Sequence, residues 1–191
     1  MDGITDDDLV RLYCDGEADA FDVLFDRHHA AVYNLARLIL GDAGWAEDVL
    51  QETFLAAAEG LTGYAPQGRF RCWLMRIARN RCLNRLAAER LRRVALSAAG
   101  MAGEEAHDSS AGPAESAGAS ERAAIVRQAV AALPDRQREA IAMYALHQMT
   151  YREIAEVMDA PLNTVKTLIH RARAGLAERL QSLDEEQRNG L

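Results

Sequence analysis

The sequence predicts an all-α protein made of two small helical domains joined by a flexible linker, the second domain being a helix-turn-helix. Apolar residues recur at helical spacing on both sides of one low-complexity segment, and no stretch shows the sustained alternation typical of strands. In segment 94–120, 18 of 27 residues are Ala, Gly or Ser, which predicts the linker. The predicted divisions are a domain over 1–93, the linker over 94–120, a domain over 121–183 and a tail over 184–191.

The elements of the first domain follow from three apolar series separated by turn signals. Gly41 to Gly44 and Gly60 to Gly68 are the two interruptions, the second containing Pro66. A further helix follows from Trp73 onward. The apolar residues expected to define these helices include Leu9, Leu12, Tyr13, Phe21, Leu24, Phe25, Val32, Leu35, Leu38, Ile39, Trp45, Val49, Leu50, Phe54, Leu55, Trp73, Leu74, Ile77, Ala78, Leu83 and Leu86.

The second domain begins with a helix that Pro134 stops. The next helix starts near Asp135, whose carboxylate is expected to cap free N–H groups. Thr150 is expected to cap the helix that follows, with Glu153 at the capping-box position. The chain then turns at 159–161, and Pro161 suits the start of a last helix that buries Val165, Ile169, Ala172, Leu176 and Leu180.

Composition limits the function classes. The chain has no apolar run long enough to span a bilayer and an acidic start unlike a signal peptide, so we expect a cytoplasmic protein. Its three cysteines contain no CxxC pair, which disfavours disulfides and zinc and predicts buried or half-buried free thiols. His28 and His29 are adjacent, cannot share one metal ion, and are expected at the surface or in a groove. We therefore expect no metal and no cofactor.

The net charge of −7 conceals a basic block between acidic segments. Residues 1–60 contain 14 acidic and 3 basic side chains, whereas residues 61–93 contain 9 arginines and one glutamate. The linker contains 4 acidic residues and no basic one. This asymmetry indicates that different surfaces of the chain bind different partners.

A basic face lies along the predicted last helix, opposite its buried stripe. No acidic residue occurs between Pro161 and Gly175, and Arg, Lys, Asn and Thr can contact phosphates or base edges. A solvated basic face is the alternative, but the preceding helix and tight turn favour the major groove of DNA. The residues predicted to contact duplex DNA are Asn163, Thr164, Lys166, Thr167, His170, Arg171 and Arg173.

The basic block of residues 69–93 combines arginines with aromatic side chains. Unpaired bases expose their π faces, so single-stranded nucleic acid favours basic groups along its backbone beside rings on which bases stack. Asn80 and Asn84 lie one helical turn apart and can read base edges. The alternative, in which Trp73 belongs to the core and the arginines are solvated, stays open.

Several motifs, in order, resemble bacterial RNA polymerase sigma factors of the extracytoplasmic-function group. They are Ala46-Glu-Asp-Val-Leu-Gln-Glu-Thr-Phe54, Phe70, Trp73-Leu-Met-Arg-Ile-Ala-Arg-Asn80, Leu133-Pro134, Tyr151-Arg-Glu-Ile-Ala155, Thr164-Val-Lys166 and His170-Arg-Ala-Arg173. The resemblance covers nearly the whole chain except the linker and both tails. It implies two domains, regions 2 and 4, and a linker that passes through the polymerase toward the RNA exit path.

The resemblance also implies roles for particular residues. The docking segment for core polymerase corresponds to Asp48, Gln51, Glu52 and Phe54, and the first and third of these share a helix face. The residues implied to capture the minus-10 element as single strand are Tyr64, Arg69, Phe70, Trp73, Arg76, Arg79, Asn80 and Asn84. The last helix corresponds to the reader of the duplex minus-35 element.

The implied function is a sigma factor that binds core RNA polymerase and promoter DNA, with an anti-sigma factor that holds it inactive until a stress signal. A helix-turn-helix regulator with a sensing or dimerising first domain is a rival, although it leaves the basic block unexplained. An enzyme is a second rival, which lacks support because the chain shows no nucleophile–base set or phosphate-binding glycine loop. Leu168 stands where the family commonly has an arginine, which puts one DNA contact in doubt.

Overall fold

The structure, a computed structural model, describes residues 3–98, 125–126 and 128–189, with side chains described as far as residue 182. The regular elements within these ranges are helical, which confirms the predicted all-α class. Contacts divide the chain into two compact units, Met1–Ser109 and Ser110–Leu191. The helices are α1 (Asp6–Cys14), α2 (Asp19–Leu40), α3 (Ala43–Gly60), a 3₁₀ turn (Leu61–Gly63), α4 (Phe70–Ala98), α5 (Asp135–Ala145), α6 (Tyr151–Met158) and α7 (Leu162–Asn189).

In the first unit, α2, α3 and α4 pack against one another, and α1 packs on α2. The hydroxyl of Thr5 accepts a hydrogen bond from the Asp8 N–H (3.2 Å) at the start of α1, and Asp42 Oδ1 accepts one from the Trp45 N–H (2.7 Å) at the start of α3. Gly41 ends α2 with φ of 76°, a conformation that favours glycine. The fully buried side chains include Leu9, Leu24, Val32, Leu35, Val49, Leu61, Phe70, Leu74, Met75 and Cys82.

In the second unit, α5, α6 and α7 enclose a core that also includes Leu133. The predicted capping box is confirmed, because Thr150 and Glu153 each bind the backbone N–H of the other. The predicted cap at Asp135 is wrong: Pro134 holds the cap position of α5, and Asp135 Oδ1 instead lies 3.4 Å from Arg138 Nη2. The buried residues of α6 and α7 are Ile154, Val157, Met158, Val165, Ile169 and Ala172.

Two helices continue into segments that were predicted to be linker and tail. Helix α4 extends to Ala98, since residues 94–98 include the good helix formers Ala95, Leu96 and Ala98, and no glycine occurs before Gly100. Helix α7 likewise extends to Asn189, just before Gly190. Residues 99–120 of the predicted linker lie outside the described residues. Among the described helices, none is long and apolar enough to cross a membrane.

Candidate functional sites

One exposed face of α4 carries a half-buried tryptophan and three polar residues. Trp73, Arg76, Asn80 and Asn84 are spaced by three or four residues, so they lie on the same side of the helix. Arg76, Asn80 and Asn84 are exposed, and so is Arg69 in the loop before the helix. This α4 face thus presents an aromatic ring, cationic groups and amide groups together.

The Trp73 ring is held by other aromatic rings. It lies 5.1 Å from Tyr64 and 5.8 Å from Phe70, measured between ring centroids, and Tyr64 meets Phe70 edge-on at 5.9 Å. A Cβ at Gly60 would lie 3.1 Å from the Trp73 ring, so glycine there lets the end of α3 approach the indole closely. Trp73 is therefore fixed by its neighbours while part of its surface stays accessible.

Two residues predicted to contact the minus-10 element are buried instead. Phe70 is 1% exposed, because it shares the buried side of α4 with Leu74 and Ala78. Arg79 is 9% exposed, because it shares a side with Cys72, Met75 and Cys82. The structure therefore contradicts the prediction that these two side chains are offered to DNA.

The loop between the 3₁₀ turn and α4 is tied to α1. The Tyr64 hydroxyl donates a hydrogen bond to Asp7 Oδ1 (3.1 Å), and the Gly68 N–H donates one to Asp7 Oδ2. Burial, together with the negative charge of Asp7, raises the pKa of Tyr64 to about 12. Sequence reasoning missed Asp7 because its partners are 57 and 61 residues away along the chain.

A second contact of α1 involves His28, which was expected at the surface or in a groove but is buried. Its Nε2 atom lies 2.7 Å from Asp6 Oδ2, and its ring packs 5.4 Å from Phe70. Arg27 Nη1 donates to Asp6 Oδ1 at 2.9 Å. The hydrogen bond to His28, aided by the nearby Arg27, lowers the pKa of Asp6 below its usual value of 3.8.

The acidic face of α3 lies beside two arginines of α4. Asp48, Gln51 and Glu52 are exposed, as predicted for a docking segment. Asp48 forms an ion pair with Arg85 at 2.7 Å, and Glu52 lies 3.8 Å from Arg81 and 3.9 Å from Arg85. The Arg85 guanidinium also lies 5.3 Å from the centroid of the Trp45 ring. These arginines belong to the basic block, but their partners are on α3.

The structure separates Phe54 and Leu55, two adjacent apolar residues of α3. Phe54, predicted to dock on polymerase, is 4% exposed, and its ring centroid lies 4.7 Å from that of Phe25. The structure therefore contradicts the docking prediction for this residue and places it in the core. Leu55, which was expected like Phe54 among the apolar residues that define this helix, is 65% exposed on the side of α3 that carries Gln51 and Glu52. The phase of α3 against α2 decides between two adjacent apolar residues, and no sequence signal distinguished them.

The seven residues predicted on the last helix all lie on the accessible side of α7. Thr164 is half-buried and the other six are exposed. The Thr167 hydroxyl donates to the carbonyl of Asn163 at 2.9 Å, and its oxygen can still accept a hydrogen bond. Leu168 is half-buried at the edge of this α7 face, on the side of Thr164.

Arg173 is held against an aromatic ring of another helix. Its guanidinium lies 4.7 Å from the centroid of the Tyr144 ring, and Tyr144 in turn lies 5.3 Å from Tyr151. A cation over an aromatic face is attracted by the ring quadrupole and loses freedom. The contact joins residues 29 positions apart on two helices, so the sequence pattern does not predict it.

The turn between α6 and α7 fixes the angle between them. Asp159 ends α6 in the left-handed region with φ of 48°, and its N–H group donates to carbonyls of the last turn. The carbonyl of Pro161 accepts the first hydrogen bonds of α7, from Thr164 (2.9 Å) and Val165 (3.2 Å). A short helix, a three-residue turn and a basic second helix form the predicted helix-turn-helix.

Comparison with known proteins gives the family. Residues 24–92 match the family described as Sigma-70 region 2, and residues 123–176 match Sigma-70, region 4. The chain is 32% identical over 186 residues to the RNA polymerase sigma-H factor of Pseudomonas aeruginosa, covering 95% of this chain and 96% of that protein. It is 29% identical over 173 residues to the ECF RNA polymerase sigma factor SigW of Bacillus subtilis, covering 88% and 92%.

The chain belongs to the extracytoplasmic-function sigma factors. Among solved structures, it is similar to CnrH in complex with the cytosolic domain of CnrY, with a TM-score of 0.70, 27% identity and coverage of 93% of this chain and 97% of that one. The protein described by the present sequence, as a sigma factor, binds core RNA polymerase and directs transcription initiation at promoters. In this chain, the region 2 match includes the exposed face of α4, and the region 4 match includes α6 and the first half of α7.

Proposed function

We propose that the three exposed faces divide the work of this sigma factor: α3 docks on core polymerase, α4 captures the minus-10 strand, and α7 reads the minus-35 duplex. The observation that supports this division is that each unit exposes one helix face with cationic and amide groups, while the exposed carboxylates of α3 form a different set, which pairs with Arg81 and Arg85.

At the minus-10 element, Trp73 offers a ring edge and face for an unpaired base. Arg69 and Arg76 neutralise the strand's phosphates, and Asn80 and Asn84 hydrogen-bond to base edges. Opening the duplex and flipping a base costs a few kcal/mol, which stacking at about 1–3 kcal/mol per base offsets in part. Tyr64 completes the site as the ring against which Trp73 is held.

At the minus-35 element, α7 enters the major groove of the duplex. Asn163, Thr167 and His170 lie near the middle of its exposed face and read base edges, while Lys166, Arg171 and Arg173 contact phosphates on either side. Thr164 and the N-terminal N–H groups of the helix approach the backbone. Leu168 replaces one polar contact with an apolar one, which suits the methyl group of a thymine.

Docking on core polymerase uses Asp48, Gln51 and Glu52, with Leu55 as the apolar residue among them. The carboxylates are paired with Arg81 and Arg85 in the free chain. Exposed ion pairs are weak, so a basic partner surface can compete for these carboxylates at little cost.

Other features of the family complete the proposal. The two helical domains act separately around the linker, which begins after α4 and follows the polymerase toward its RNA exit path. The chain performs no catalysis itself, works in the cytoplasm, and uses no cofactor. An anti-sigma factor masks it until a stress signal. The similar protein CnrH, solved with the cytosolic domain of CnrY, supports a protein partner of this kind.

The division of work is tested with one substitution on each face. Promoters are first identified by mapping RNA 5′ ends after overproduction of the protein. Glu52→Ala, Trp73→Ala and Lys166→Ala are then compared for capture of core polymerase, binding of a single-stranded minus-10 oligonucleotide by the holoenzyme, and binding of a minus-35 duplex. We expect each variant to lose mainly one activity, with Trp73→Ala weakening single-strand binding about tenfold.

Trp73→Phe and the exposed Glu47→Ala serve as matched controls. The first keeps an aromatic ring and is expected to recover much of the single-strand binding. The second removes an α3 carboxylate next to the docking face and is expected to leave core capture unchanged. Equal losses in all three assays would contradict the division of work. Tight duplex binding by a chain that fails to capture core polymerase would favour the rival helix-turn-helix regulator.

A further inference from the structure

The acidic first turn of α1 is not explained by the three proposed contact faces. It contains three consecutive carboxylates, Asp6, Asp7 and Asp8, whereas α4 is rich in arginine. Each carboxylate has a different set of partners. Asp8 contacts Thr5 and Arg11 within its own turn, and Asp6 contacts Arg27 and His28 of α2. Asp7 contacts the loop that leads into α4.

Both oxygens of Asp7 are used, and both bind the same loop at different points. Oδ1 accepts from the Tyr64 hydroxyl and Oδ2 accepts from the Gly68 N–H, so the carboxylate closes the loop from its first to its last residues. Gly68 has φ of 69°, which lets the chain turn its N–H toward α1 just before α4 begins. The loop conformation is therefore defined by a residue outside it.

The consequence reaches Trp73 through Tyr64. The Tyr64 ring is held at its hydroxyl by Asp7 and lies 5.1 Å from the Trp73 ring. If the hydroxyl were released, the half-buried tyrosine would lose its fixed orientation beside the indole. A base that stacks on Trp73 binds more tightly if the Tyr64 ring is already ordered, because ordering the tyrosine on binding lowers the affinity.

We propose that Asp7 is a positioning residue for minus-10 recognition, which fixes Tyr64 and the loop at 64–68 so that the Tyr64 and Trp73 rings are in place before the strand binds. This inference rests on the proposed function of Trp73. Asp7 itself does not touch the strand. Its two hydrogen-bond donors compensate its negative charge, and a bare carboxylate there would repel a phosphate.

A contrary role predicts the opposite sign. A carboxylate on a backbone N–H and a tyrosine hydroxyl also resembles a phosphate of the strand. If Asp7 were such a mimic, it would compete with DNA, and its removal would tighten binding. Positioning predicts that its removal weakens binding.

The test uses the full chain in holoenzyme with core polymerase. The probe is a fluorescein-labelled single-stranded oligonucleotide that carries the minus-10 region of the strongest promoter found by RNA 5′-end mapping. The variants are Asp7→Ala, Tyr64→Phe and the double variant, and the matched control is Asp8→Ala, which removes the adjacent carboxylate. Core capture and thermal unfolding are measured on the same proteins.

We expect Asp7→Ala to weaken oligonucleotide binding about 5- to 10-fold and Tyr64→Phe about threefold, as for the loss of two hydrogen bonds and of one. The double variant should bind no more weakly than Asp7→Ala, because both changes remove the same contact. Asp8→Ala should stay within twofold, and core capture should be unchanged throughout. Tyr64→Phe retains the ring and keeps the test valid if Asp7→Ala folds poorly.

Unchanged or tighter binding by Asp7→Ala, or additive losses in the double variant, would overturn the positioning role. Trp73→Ala, measured in parallel, separates this failure from that of the proposed function. If Trp73→Ala weakens binding and Asp7→Ala does not, the inference about Asp7 alone is wrong. If neither variant weakens binding, the minus-10 assignment of α4 is wrong.

Discussion

The two arginine-rich helices, α4 and α7, differ in how well residue type indicated accessibility. On α7, all seven predicted contact residues lie on the accessible side, and six of them are exposed. On α4, Phe70 and Arg79 are buried, and Arg81 and Arg85 lie beside carboxylates of α3. Both helices pack against two others, but the buried side of α4 is mixed in residue type, whereas the basic part of α7 buries one regular apolar stripe.

Composition thus indicates the chemistry of a surface, whereas the phase of the helix decides which residues belong to that surface. The stripe of Val165, Ile169 and Ala172 is purely apolar, so the opposite face of α7 could be found by elimination. The buried side of α4 includes an arginine, two cysteines and a phenylalanine next to an exposed tryptophan edge. Residue type alone could not divide that helix.

The largest expected effect concerns the burial of Phe54 and the exposure of Leu55 in the first unit. Phe54→Ala removes a buried aromatic side chain and should lower the free energy of unfolding of this unit by about 3–5 kcal/mol. Leu55→Ala alters an exposed residue and should change it by less than about 0.5 kcal/mol while it weakens capture of core polymerase. Urea unfolding monitored by circular dichroism and a polymerase pull-down measure the two quantities. A stable Phe54→Ala variant that fails to dock would restore the original assignment.

An intermediate effect is expected on the exposed face of α7. Lys166→Ala removes one phosphate contact, so the slope of log K against log salt concentration for duplex binding should decrease by about 0.9. Tyr144→Leu should weaken the same binding by about 0.5–1 kcal/mol, since it removes the ring that holds Arg173. Tyr144→Phe keeps the ring and is the matched control. If Tyr144→Leu binds as well as the control, the contact with Arg173 has no role in DNA binding.

The smallest effect concerns the contact between α1 and α2. The pKa of Asp6 is lowered in the folded chain, so its stabilising effect is fully present above its usual pKa of 3.8 and is lost as the pH falls below that value. Asp6→Ala should therefore be less stable than the parent by about 1 kcal/mol at pH 7 and pH 5, with the difference shrinking below pH 3.8. The exposed Asp26→Ala is the control. A difference that is constant with pH would show that the Asp6 charge is not involved.

The sequence by itself determined the helical class, the turn positions and the chemistry of each surface. Helical periodicity, the Thr150 capping box and the glycine at the end of α2 are local features that depend on residues within a few positions. For the same reason, the basic face of α7 was predicted residue by residue.

The tertiary structure decided which side of each first-unit helix is buried and which distant residues meet. The phase of one helix against another decides that Phe54 is buried and Leu55 exposed. It likewise decides that Phe70, Arg79 and His28 are buried while Arg76 is exposed. The contacts of Asp7 with Tyr64 and Gly68 join residues about 60 positions apart, for which the sequence contains no signal. Local patterns report local free energies, whereas side-chain burial is fixed only when several helices pack together.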